Sequence, residues 1–106
     1  MIHIFSENSN SKLTNVNEDD IQPNAVDLRL DKVFKIHNTL FELDAENNKV
    51  HRGSTPIEPD ENGFWYLEPG SYEVVMENII TVGEDEAGWV ITRSTLNRNG
   101  CFITSG

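Results

Sequence analysis

The sequence predicts an all-β fold, and three features carry that prediction. Short apolar or alternating runs recur along the chain, turn-forming residues separate them at close intervals, and no long segment repeats its apolar residues at the helical period. Together they indicate an antiparallel sandwich or barrel. The 106 residues are enough for one domain, residues 1–106, and not for two. Hydrophobic residues make up 37%, so the core is expected to be thin and association with partners favourable.

The elements follow in order. Met1–Phe5 alternates and reads as a short strand. Ser6–Asp20 is polar and rich in Asn and Ser, a loop with room for one helical turn. Ile21-Gln22-Pro23-Asn24 is a turn, because Pro23 fixes its own φ and restricts Gln22. Ala25–Ile36 alternates well, with Val26, Leu28 and Leu30 on one face and Asp27, Arg29 and Asp31 on the other. Thr39–Leu43 is a short strand and Asp44–Lys49 a polar turn, whereas Val50–Pro59 is irregular, broken by Gly53, Pro56 and Pro59. Asn62-Gly63 is a hairpin signal before an aromatic strand at Phe64–Leu67. Pro69-Gly70 turns the chain into Ser71–Met76, a strand with Tyr72, Val74 and Met76 on one face. Ile79–Val82, Trp89–Thr92 and Cys101–Thr104 are further strands, and Gly83–Gly88 is an acidic, solvated turn.

Charge and cysteine content exclude several function classes. The formal net charge of −10 disfavours nucleic acid and anionic membrane surfaces as partners, since both need a basic footprint. A phosphorylated small molecule needs only a few local donors and is still allowed. Cys101 is the only cysteine, so no disulfide can form within the chain and no zinc site with two thiolates can be built. His3, His37 and His51 lack ligand spacing. No apolar run reaches membrane length, and the start MIHIFSENSNSK lacks the regions of a signal peptide, so a cytoplasmic location is expected.

After Gly53 the only basic residues are Arg93 and Arg98, in a stretch that carries nine acids. They bracket Ser94-Thr95-Leu96-Asn97, a segment that can form one or two turns of helix, with Ser94 or Thr95 as its N-cap and Gly100 after its end. A capped turn with two hydroxyls and two guanidinium groups has the donors of a polyphosphate cradle. An ordinary capped turn with surface arginines accounts for the same residues. Asp27 and Arg29 form a second candidate, as a structural ion pair or as support for a metal-bound phosphate. Walker A, GxGxxG, GxSxG and HExxH motifs are absent.

Four segments carry a family resemblance. Ile21-Gln22-Pro23-Asn24-Ala25-Val26-Asp27-Leu28-Arg29-Leu30 resembles the IQPxSVDLRLG motif of bacterial and archaeal dCTP deaminases. Arg93-Ser94-Thr95-Leu96-Asn97-Arg98-Asn99-Gly100 resembles their RSSLGRLG motif. Leu67-Glu68-Pro69-Gly70-Ser71-Tyr72 is similar to LHPGEF, and Glu84-Asp85-Glu86-Ala87-Gly88-Trp89 to PDDLAG. The order and spacing are compatible across most of residues 21–104, which makes the set far more specific than any one segment.

The resemblance is to the dUTPase/dCTP deaminase superfamily, and it implies homotrimers of distorted β-barrels with active sites at subunit interfaces. It implies pyrimidine deoxynucleoside triphosphates as substrates, Mg²⁺ brought by the phosphates rather than held directly by protein, and no zinc. The expected reaction is hydrolytic deamination of dCTP to dUTP; the alternatives are hydrolysis of dUTP to dUMP and pyrophosphate, and a non-catalytic nucleotide-binding or assembly module. Arg93, Ser94, Thr95 and Arg98 would bind the triphosphate, and Ser94 with Arg98 would organise the catalytic water and the base. Asp27 and Arg29 would be structural or metal-supporting. In the family a third motif follows, with the residues that read the base and the catalytic carboxylate. This chain reaches Ile103-Thr104-Ser105-Gly106 where that segment is expected to begin. The resemblance therefore implies a partial family domain lacking its C-terminal strands and without turnover by itself: a truncated piece of a longer enzyme, which its end at a strand-to-loop junction favours, or a natural half-length relative that has lost the chemistry.

Overall fold

The sheet that organises the molecule is built on one central strand. The computed structural model describes residue 4 and residues 7–104, and the strand expected at Met1–Phe5 lies outside them except for Ile4, which sits in a turn. The described strands are β1 (Lys12–Leu13), β2 (Leu30–Ile36), β3 (Glu42–Leu43), β4 (Lys49–Val50), β5 (Ser54–Ile57), β6 (Tyr72–Met76) and β7 (Ile80–Thr81). A 3-10 turn at Glu18–Asp20 and one helix, α1 (Ser94–Arg98), complete the described regular structure. The fold is all-β, with every strand pair antiparallel. β2 lies between β5 and β6, while β1 pairs with β7 and β3 with β4 in two small separate sheets. These sheets do not close into a barrel among the described residues.

A bulge decides which side chains of β2 face inward. Leu30 pairs with Met76 and Lys32 with Val75, so the register shifts between them. Past the shift, Val33 sits opposite Val74 on one side and Ile57 on the other. An extra residue in a strand reverses the inside-outside alternation beyond it. The apolar face that begins at Leu30 therefore continues through Val33, and Lys35 lies on it as well. Its ammonium stands 4.5 Å over the ring of its cross-strand partner Tyr72, so a charged residue on this face still packs favourably. Val33, 1% exposed, is the one fully buried hydrophobic side chain among the described residues.

Several expected strands do not form, each for its own local reason. The ladder of Ala25–Ile36 begins only at Leu30, because residues 21–26 close a tight turn with an isolated bridge between Ile21 and Val26. The aromatic run Phe64–Leu67 is not a strand: the Phe64 N–H donates to the Asp60 side chain and the Phe64 carbonyl accepts the Asp60 N–H, closing a turn at Gly63, whose φ of 82° suits glycine. Trp89–Thr92 and Cys101–Thr104 find no ladder partner among the described residues and stay irregular. Trp89, Ile91 and Phe102 are consequently 82%, 78% and 79% exposed. In the other direction, the irregular stretch expected at Val50–Pro59 contains β5. Pro56 is tolerated there because β5 is an edge strand.

The shape reflects the thin core. The radius of gyration is 16.8 Å, against about 13 Å for a compact domain of this length. The extents of 47 × 43 × 24 Å describe a plate rather than a sphere. Polar anchors hold its periphery. The Glu86 carboxylate, expected to be solvated, accepts hydrogen bonds from the Ser9 hydroxyl at 3.0 Å, the Asn10 N–H at 2.6 Å, the Ser11 N–H at 3.2 Å and the Ser11 hydroxyl. These donors hold its pKa below the ordinary carboxylate value, led by the Ser11 hydroxyl and the Asn10 N–H. Asp44 is held low in the same way, first by the Asn48 side chain, in the β3–β4 hairpin. Among the described residues no helix is long and apolar enough to cross a membrane.

Two outcomes follow. Val33→Ala should cost about 1.5–3 kcal/mol in chemical denaturation, a large loss for so small a core. A carboxylate whose folded pKa is depressed stabilises above its unfolded pKa, and that contribution disappears as pH falls through the folded value. Thermal melts of the wild type should therefore decline below the ordinary carboxylate range, and Glu86→Gln should flatten that decline.

Candidate functional site

The site begins in the turn that interrupts the expected long strand. Gln22 N–H donates to the Ala25 carbonyl at 2.9 Å, and Asp27 N–H to the Asp20 carbonyl at 2.8 Å, so Asp20 and Asp27 flank a closed turn with Pro23-Asn24 at its tip. Arg29 fastens this turn. Its Nε and Nη2 donate to the two oxygens of Asp20 at 3.1 and 2.8 Å. Asp20, 6% exposed, also accepts the Asn17 N–H at 2.9 Å. The Arg29 hydrogen bond, then the Asn17 N–H, holds the Asp20 carboxyl below its ordinary range against the opposing effect of burial, and Asp20 in turn raises the Arg29 pKa. The ion pair considered between Asp27 and Arg29 does not form: outside a regular ladder the two side chains diverge, and Arg29 pairs with Asp20 instead.

Asp27 points the other way, to the second motif. Its Oδ2 accepts Arg93 Nη1 at 2.9 Å across 66 positions of sequence, and Gln22 Nε2 at 3.3 Å. Side-chain exposure is 71% for Arg93 and 22% for Asp27, so solvent screens the pair and its stabilisation is small. Its consequence is positional. Arg93 has further N–H donors that bond nothing among the described residues, so its guanidinium is tethered at one end and free at the other.

Helix α1 differs from the expected cap. Its N-cap is Arg93, which makes no side-chain capping bond, and Ser94 and Thr95 are the first two helical residues. The first intrahelical bond runs from Asn97 N–H to the Arg93 carbonyl at 3.1 Å, ahead of which lie the N–H groups of Ser94, Thr95 and Leu96. The helix ends as expected at Gly100, with φ of 76°, where Cys101 N–H returns to the Leu96 carbonyl at 2.9 Å and Gly100 N–H to Asn97 at 3.1 Å. Ser94 and Arg98 lie one turn apart on one helical face. Arg93 and Arg98 are about 140° apart around the axis and do not form a single fork. The hydroxyls of Ser94 and Thr95 and the exposed Arg98 guanidinium make no hydrogen bond among the described residues.

Three residues escaped the sequence reading. Asp20 borders the first motif and Gln22 lies inside it, but nothing in their spacing says which partner each takes. Asn78, 8% exposed, accepts the Arg29 N–H at 3.0 Å and donates to the carbonyls of Thr14 at 2.8 Å and Asn15 at 3.3 Å. It joins the first motif to β6 and the N-terminal segment, and no pattern in Glu77-Asn78-Ile79 announces it.

Comparison with known proteins places this arrangement in context. The dCTP deaminase-like family matches residues 2–105. A probable deoxyuridine 5'-triphosphate nucleotidohydrolase of Halobacterium salinarum is 34% identical over 95 residues, covering 85% of this chain and 56% of that protein. One of Methanococcoides burtonii is 32% identical over 84 residues, covering 78% of the chain and 49% of the relative. The deoxyuridine 5'-triphosphate nucleotidohydrolase of Methanocaldococcus jannaschii is 28% identical over 103 residues, covering 96% and 66%. The chain thus spans about half the length of the first two relatives. No solved structure matches it. Since the match takes in both the turn around Asp27 and the helix that starts beside it at Arg93, the chain belongs to the dCTP deaminase-like family, within the dUTPase/dCTP deaminase superfamily.

Proposed function

We propose that this chain forms the triphosphate-binding part of a site that hydrolyses dUTP to dUMP and pyrophosphate. The observation that carries this reading is the Asp27–Arg93 bond, which joins the two motifs and leaves Arg93 with donors to spare. Arg93, Ser94 and Thr95 bind triphosphate oxygens. Ser94 and Arg98, on one face of α1, hold the attacking water and the charge that builds as the bond between the α- and β-phosphates breaks. That the relatives described above are named as dUTP nucleotidohydrolases favours dUTP over dCTP.

Mg²⁺ fits this reading as a metal carried by the phosphates. Among the described residues no group of three or more His, Cys, Asp or Glu side chains could cage an ion. Asp27 keeps Oδ1 without a hydrogen bond among them, so it is the carboxylate suited to touch a phosphate-bound cation. The ion supplies neutralisation of phosphate charge. A homotrimer is part of the same proposal, supported by the exposed Trp89, Ile91 and Phe102.

Deamination of dCTP is the second reading, favoured by the description of the matching family and by the motif wording. Incubation of a form of the protein that carries the third motif with dUTP or dCTP and Mg²⁺ separates the two, the 106 residues by themselves being expected to hold nucleotide without turnover. Pyrophosphate from dUTP supports the proposal, ammonia from dCTP replaces it with deamination, and tight binding with neither product restricts the chain to holding nucleotide. Arg93→Ala and Arg98→Ala should each weaken dUTP binding by about ten-fold in calorimetry, the loss of one charge-assisted contact; unchanged affinity returns that arginine to the surface. Light scattering should give three times the chain mass, and a monomer would remove the trimer from the proposal.

A further inference from the structure

The Asp27–Arg93 bond has a third participant that the motif reading assigns no part. Gln22 is half-buried, and its side-chain Nε2 donates to two acceptors: the Asp19 carbonyl at 3.2 Å and Asp27 Oδ2 at 3.3 Å. The second acceptor is the same oxygen that receives Arg93 Nη1. A carboxylate on a short side chain can rotate, and an arginine bonded to only one of its oxygens would swing with it. The amide opposes this rotation, because its other hydrogen is anchored to main chain in the 3-10 turn. That turn is itself immobilised by the bidentate Asp20–Arg29 pair and by Asn17 N–H on Asp20. The amide also shares the negative charge on Oδ2. Asp27 therefore holds the Arg93 guanidinium in place without neutralising it fully, which matters for a cation meant to bind phosphate.

We propose that Gln22 is a positioning residue for Arg93, acting through Asp27: it fixes the carboxylate oxygen to which Arg93 is tethered and so sets where the free edge of the guanidinium meets a phosphate. Gln22 does not touch the ligand. This inference rests on the triphosphate reading of the site and adds the element that orients it. The charged residues bonded to this turn are Asp20, Asp27, Arg29 and Arg93, with Asp19 contributing its carbonyl.

The test is calorimetric titration of the 106-residue chain with inorganic tripolyphosphate and Mg²⁺, in wild type, Gln22→Met and Gln22→Glu, with a thermal melt of each. Gln22→Met keeps the length and loses both donors. It should melt like wild type and bind about five-fold more weakly, the cost of one ordering hydrogen bond. Gln22→Glu places a second carboxyl beside Asp27. It should bind more weakly than Gln22→Met at pH 7.5, because it removes the donor and adds a charge that repels Asp27. The readout that a merely structural role would not move is a double-mutant cycle: in an Arg93→Ala background Gln22→Met should cause no further loss of affinity, and an undiminished loss there overturns the inference. Wild-type binding with an unchanged Gln22→Met overturns the inference and leaves the site reading standing. A wild type that binds no tripolyphosphate overturns the site reading, and the inference with it. Should Gln22→Met not fold, the cycle is run with Gln22→Asn, whose shorter amide cannot reach Asp27: a loss of affinity undiminished in the Arg93→Ala background overturns the inference.

Discussion

Arg29 is the residue on which the two halves of the described structure converge. Its guanidinium grips both oxygens of Asp20, its N–H reaches the Asn78 side chain, and its carbonyl accepts the Glu77 N–H at 2.8 Å. The first contact closes the turn around Pro23; the other two dock the start of β2 against the end of β6. Asn78 extends the same node to Thr14 and Asn15. Such a node is effective because Asp20 and Asn78 are buried and well supplied with partners. A buried polar group stabilises only when its bonds are made, and then it specifies one arrangement sharply.

That specificity compensates for little apolar burial. With Val33 the one fully buried hydrophobic side chain described, the plate cannot rely on a packed interior to select its register. Hydrogen-bonded anchors take that role. Glu86 collects donors from Ser9, Asn10 and Ser11, and Asp44 closes the β3–β4 hairpin, which touches no other strand or helix among the described residues. The cost of this design appears at low pH, where each anchoring carboxylate must take up a proton. Its benefit is a surface on which short apolar runs are left facing outward, in a chain whose charge of −10 opposes indiscriminate association.

The candidate site uses the same economy. Arg93 is one of two cations in an otherwise acidic half of the chain, and Asp27 tethers it at the start of α1. The tether contributes little to stability because it is exposed. It does determine geometry, since it couples a turn near residue 22 to a helix that starts at residue 94. Ser94 and Arg98 then face the same side of that helix while Arg93 faces Asp27, so donors that lie within six positions of sequence are divided between two directions.

What the sequence by itself determined is what depends on local chemistry. Alternation in Tyr72–Met76, the turn at Asn62-Gly63, the glycine after α1 and the absence of helical periodicity all act within a few residues, and all are present in the structure. The motif order from Ile21 to Gly100 identified the family by the same local signals. Tertiary structure decided the rest, because those features depend on partners distant in sequence. Trp89–Thr92 has strand composition but no ladder neighbour. Val33 is buried through a bulge that no composition announces. Asp27 and Arg29, two positions apart, divide between Arg93 and Asp20 because the chain turns between them and the acceptors lie on different segments. An ion pair is legible in sequence only when both charges sit on one regular element, and here neither does.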